Sequence, residues 1–214
     1  MAARKKKEKP LLAKETKHIL IGLAVLAVLF LILTSVFGKL GTFEYEGMTF
    51  VQEKFGQLDV FRYTYFYEGI EGDILQYNMF LRVDPRTNEV PVTGEIELPA
   101  KSRQMYVSID TTGMAQCELS AVGISSLSAF LTNNQYPVKG ATPFEAEAEL
   151  RDIPFADCQS HPENAVFVVK TGDETKVEKQ GNFCWVLQAA DCEIVEVVEK
   201  FEVETIIQAR AREA

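Results

Sequence analysis

The chain has 214 residues, 47% of them hydrophobic and 25% charged, with 31 acidic side chains against 22 Lys or Arg and a formal charge of −9 at pH 7. This mixture excludes a low-complexity or disordered polymer and leaves enough chain for one large domain or two small ones. A net acidic balance of this size argues against nucleic acid as a partner.

Residues 1–18 hold seven Lys or Arg (Arg4, Lys5, Lys6, Lys7, Lys9, Lys14 and Lys17) against Glu8 and Glu15. Residues 19–37, ILIGLAVLAVLFLILTSVF, carry no charge. A helix of that length covers roughly 28 Å, close to the ~30 Å of a bilayer's hydrocarbon layer. The expectation is a basic cytoplasmic arm (1–18) and a single transmembrane helix (19–37), with the lipid bilayer as a partner. The run is longer than the apolar region of a cleaved signal peptide, which favours a retained anchor. By the positive-inside rule the localisation is the cell membrane, single-pass, with the acidic remainder extracytoplasmic.

The expected fold class is α+β or α/β: after the transmembrane helix, a β-rich external part (43–100) and then an α/β external part (101–209). Strands are expected at 48–54, 58–67, 74–83 and 92–98. In the second, period 2 puts Phe61, Tyr63, Tyr65 and Tyr67 on one face. Such a row serves either as a stacking platform or as a cross-strand core ladder covered by the rest of the domain, and the second use is the commoner.

Further on, strands are expected at 104–109, 153–158, 165–169, 176–179 and 183–188. Helices are expected at 117–132, at 143–151, and from Asp191 onward with Asp191 as N-cap. In the last helix Ile194, Val197, Val198, Phe201 and Thr205 face inward, while Glu196, Glu199 and Glu202 face water.

Four cysteines, Cys117, Cys158, Cys184 and Cys192, make an even set. On the expected topology they form two disulfides. Three pairings are open, and Cys184 with Cys192 plus Cys117 with Cys158 is the favoured one. No C-x-x-C motif supports redox catalysis. Of Asp157, Cys158, His161 and Glu163, Cys158 and His161 have the spacing of two ligands where a structural zinc site needs four, and the other histidine is His18, so no metal is expected. GISSL (123–127) lacks the second glycine of a nucleophile elbow. No phosphate loop and no cofactor motif occur, so neither cofactor nor catalytic residue is assigned.

Three segments carry a resemblance: ETKVEKQGNFCWVLQAADCEIVEVVEKF (174–201), GMTFVQEKFG (47–56) and FLRVDPR (80–86). They resemble uncharacterised archaeal single-pass membrane-anchored proteins with a cysteine-containing external domain. The resemblance implies an archaeal origin and no activity.

The functional expectation is a membrane-tethered extracytoplasmic structural or protein-interaction module of the cell envelope, with another envelope protein as partner and no enzyme activity. The alternative is an extracytoplasmic ligand-binding or enzymatic domain. The enzymatic form requires Ser125, Cys117, Asp110 or His161 to converge in a cleft at the seam between the two parts.

Overall fold

A computed structural model describes residues 12–37 and 41–213, with α1 side chains described over 17–30. The structure forms two units: one holds helix α1 (Leu12–Phe37), the other is Phe43–Ala214. Helix α1 starts seven residues before the expected boundary at Ile19, because Lys and Glu extend a helix readily. Most of the basic arm lies outside the described residues.

Among the described residues, no helix is long and apolar enough to cross a membrane. This corrects the expected fold class, a transmembrane helix followed by external layers. It also corrects the bilayer partner, the single-pass membrane localisation and the membrane-tethered function. The fold is a mixed α/β arrangement with four helices among the described residues, none of them membrane-spanning.

The larger unit contains two sheets. The first has order β1-β2-β3-β4, from β1 (Thr42–Tyr45), β2 (Met48–Phe55), β3 (Leu58–Glu68) and β4 (Ile74–Leu81). β2–β3 and β3–β4 pair antiparallel. Between β1 and β2, Glu46 and Gly47 both take positive φ, 49° and 68°, the backbone that tight two-residue hairpin loops use.

The second sheet has order β5-β9-β10-β8-β6-β7. Its strands are β5 (Val92–Thr93), β6 (Met105–Ile109), β7 (Val138–Ala141), β8 (Ala165–Thr171), β9 (Lys176–Lys179) and β10 (Cys184–Ala189). β7, β6, β8 and β10 run parallel, whereas β9 is antiparallel to β10. β8 is buried along its first five residues, as its unbroken apolar sequence requires of a central parallel strand. Helices α2 (Ser120–Asn133) and α3 (Glu145–Arg151) make crossovers, and α4 (Ile194–Glu213) follows β10.

One core runs through both sheets, joining Phe50, Met79 and Leu81 to Val107, Phe167 and Trp185. Phe201 of α4 meets Phe167 edge-on at 5.3 Å, and Phe167 stacks on Trp185 at 5.4 Å. Helix α4 therefore carries the contact between the layers, and its apolar side chains nearly encircle it.

Several expected elements are shorter. The strand expected at 92–98 stops at Thr93. Gly94 has φ +92°, and a Cβ there would lie 2.6 Å from the Lys179 Cβ. Gly94→Ala should therefore cost about 1–2 kcal/mol through left-handed strain and overlap, read as a lower urea midpoint. An unchanged midpoint would show that the edge strand yields freely. The strand expected at 153–158 is reduced to one bridge, Thr142 to Phe155. Asp191 is not an N-cap: Asp191 and Cys192 have φ of 45° and 64°, and α4 begins at Ile194.

Candidate functional site: the tyrosine cleft and the buried glutamates

A cleft of about 750 Å³ opens where β3 passes the C-terminal ends of α2 and α4. Strand alternation positions its wall. Phe61 is buried in the core, while Tyr63, Tyr65 and Tyr67 continue the same face as a half-buried row along the cleft. The row is thus core at one end and cleft wall at the other.

Tyr63 and Tyr65 stack at 5.7 Å and 26°, and Tyr65 meets Tyr67 at 6.1 Å. The Tyr65 hydroxyl donates to Asn134 Oδ1 at 2.9 Å, and the Tyr67 hydroxyl donates to the Asn133 carbonyl. Burial pushes the Tyr65 and Tyr77 hydroxyls well above the ordinary phenol range, so both stay neutral.

Three cations reach the cleft. Lys101 Nζ donates to the Glu68 carbonyl at 2.8 Å and lies 4.7 Å from the Tyr67 ring centre. Arg210 Nη1 donates to the Gly47 carbonyl at 2.9 Å. Arg212 is tied to Glu95 at 3.3 Å. Among the described residues, neither Lys101 nor Arg210 has a carboxylate within ion-pair distance. Leu98 and Ile206 supply the apolar lining, with the buried Phe130 behind them in the core.

Deeper in the same unit are two acids that the sequence placed in water. Glu199 and Glu202 are 3% and 1% exposed. The expectation fails because the α4 face one turn on from Val195 and Val198 is met by Arg82 and Val83, just beyond β4, and by α2. Glu199 accepts two backbone N–H groups, Arg82 at 2.7 Å and Val83 at 2.9 Å, where β4 ends. Glu202 accepts from the Ser126 hydroxyl at 2.9 Å. Burial pushes Glu199 up to about 7, against the pull of the two N–H donors. Burial pushes Glu202 up to about 8, with the charge of Glu199 adding to it.

The residues required for an enzymatic reading do not converge. Ser125 is exposed on α2. Asp110 accepts from the Gly113 N–H at 2.7 Å in the loop after β6. His161 Nε2 sits 3.0 Å from the Phe155 carbonyl, its ring stacked on Tyr106 at 4.5 Å. Among the described residues, no group of three or more His, Cys, Asp or Glu is arranged to hold a metal ion.

All four cysteines are bonded, in a pairing different from the favoured one: Cys117–Cys192 and Cys158–Cys184. The reason is geometric. Cys184 opens the six-residue β10 and Cys192 lies just beyond its end. An extended strand of that length holds its ends about 20 Å apart, far beyond disulfide reach. Because β8 and β10 are parallel, Cys158 and Cys184 fall at one end of the sheet. Cys117 and Cys192 fall at the other, where α2 and α4 begin.

No family model, curated protein or solved structure matches this chain. The resemblance to archaeal membrane-anchored proteins is corrected accordingly: its three segments are strands, a turn and the start of α4 in a disulfide-bonded mixed fold, and nothing among the comparisons supports an archaeal origin.

Sequence reasoning singled out the tyrosine row but missed Asn134, Lys101, Arg210, Glu199 and Glu202. For the two glutamates a signal existed. The apolar positions of α4 (Ile194, Val195, Val197, Val198, Phe201, Val203, Ile206 and Ile207) leave little angular room for a solvated side.

Proposed function

We propose that Phe43–Ala214 is an interaction domain rather than an enzyme, and that it binds through the cleft between β3, α2 and α4. The observation that carries this is a cleft within the size range of ligand pockets, lined by half-buried tyrosines and polar groups. Most of this unit's large side chains fill a continuous core, so an open volume beside three aromatic rings is the exception within it. The scatter of Ser125, Asp110 and His161, with Cys117 held in a disulfide, favours binding without chemistry.

The test is nuclear magnetic resonance of the labelled chain with a mixture of neutral, anionic and cationic fragments. Amide shifts should cluster at 63–68, 130–136 and 205–212. Shifts gathered elsewhere, or none, would remove the cleft from the account.

A further inference from the structure

The cleft's walls differ in chemistry along its length, and the difference indicates what fits. The half-buried Leu98 and Ile206 form an apolar lining suited to an acyl or aryl body. Sugars and planar cations prefer ring faces; here Tyr63 and Tyr65 cover each other, and Lys101 already lies over Tyr67.

The charges agree with the rings. Lys101 and Arg210 each spend one donor on a backbone carbonyl, leaving further N–H groups on each. Glu68 also lines the cleft, but it meets Lys101 through its carbonyl rather than its carboxylate. Arg212 is different, since Glu95 neutralises it. The lining holds Lys101, Arg210 and Arg212 against Glu68 as its one acid, a local reversal of sign in a chain of net charge −9.

Resting on the reading of the cleft as the binding site, we infer that its ligand is a small amphipathic anion. Its apolar body lies against Leu98 and Ile206, and its carboxylate or phosphate head is held by Arg210 or Lys101.

The experiment is titration calorimetry of the full chain with four probes of equal tail length, each below its micelle threshold: decanoate, decyl phosphate, decanol and decyltrimethylammonium. Decanoate and decyl phosphate should bind one site at least about tenfold more tightly than decanol, and the cation should not compete. The tighter of the two anions identifies the head group. Arg210→Gln and Lys101→Gln should each weaken decanoate about fivefold while leaving decanol unchanged, and Arg212→Gln should do less.

Ala209→Trp, which fills the cleft from α4, should abolish anion binding. Should that variant fail to fold, the two charge variants carry the test, since both side chains stand at the surface. Decanol binding as tightly as decanoate, with both lost in Ala209→Trp, would overturn the anion while leaving the cleft in place. Decanoate binding that survives Ala209→Trp and shifts no cleft amide would overturn the cleft itself. Absence of binding by all four probes overturns the amphipathic anion, and the fragment map then decides the cleft.

Discussion

Replacing Cys117 and Cys192 with serine should lower the unfolding free energy by about 4.5 kcal/mol, the chain-entropy value for a bridge closing 75 residues. The corresponding loss for Cys158 and Cys184, which close 26 residues, is about 3.5 kcal/mol. Location strengthens the order. Cys117–Cys192 joins the entry of α2 to the entry of α4, and these helices pack so closely that a Cβ on Gly123 would lie 3.1 Å from the Ile194 carbonyl oxygen. Cys158–Cys184 ties a loop to a strand already held by β8. Urea midpoints of the two double-serine variants, taken without reductant, test the ranking. A larger loss from the Cys158 and Cys184 pair would refute it, and a loss below about 1 kcal/mol for the first pair would mean that packing alone fixes the helix entries.

The second large effect is a fall in stability as pH rises from about 5 to 8. Folded Glu199 and Glu202 bind protons with pKa values of about 7 and about 8, above the ordinary 4.5 expected of the unfolded chain. Between those values the folded state holds more protons than the unfolded state, so stability declines with pH. The contribution is complete below the unfolded value and is lost as pH passes through the folded values. The slope is at most about 1.4 kcal/mol per pH unit for each group, giving several kcal/mol across the window.

At the acid end the sign reverses. Hydrogen bonds from Arg86 hold Asp84 below the usual carboxylate range, and hydrogen bonds from Thr111 and then Thr142 do the same for Glu147. Their stabilisation is lost as pH falls through those depressed values, so stability passes through an optimum below about 4.5, the unfolded value of the two buried glutamates. Glu202→Gln is the informative variant, because Gln keeps the volume and can still accept from Ser126. It should raise the melting temperature at pH 8 and flatten the decline. Glu199→Gln is less clean: an amide offers one acceptor oxygen where two backbone N–H groups must be met. Melting curves at pH 5, 6.5 and 8 decide the matter. A flat or rising profile, or an unchanged slope in Glu202→Gln, would sink it.

Both effects depend on partners distant in sequence, and that separates what the residues disclose from what they withhold. The alternation over 58–67 disclosed β3, and the unbroken apolar run over 165–169 disclosed the central strand β8, because side-chain period and burial are local properties. The tyrosine row was legible for the same reason. The apolar run at 19–37 suggested a membrane span, yet among the described residues no helix meets the length and apolarity required.

The cysteine pairing was half legible. The strand expected at 183–188 already forbade Cys184 from reaching Cys192, and that distance argument outweighs nearness in sequence.

The sequence by itself determined the strands and helices whose periodicity is strong, the acidic balance and the even set of cysteines, since each follows from neighbours along the chain. Only the tertiary structure decided that Tyr63, Tyr65 and Tyr67 face a cleft with Lys101 and Arg210, and that Glu199 and Glu202 leave water. A side chain's solvent depends on which distant surface covers it. Val83, just beyond β4, and Ser126 of α2 reach Glu199 and Glu202 across sequence separations of 116 and 76 residues, which no local pattern on α4 records.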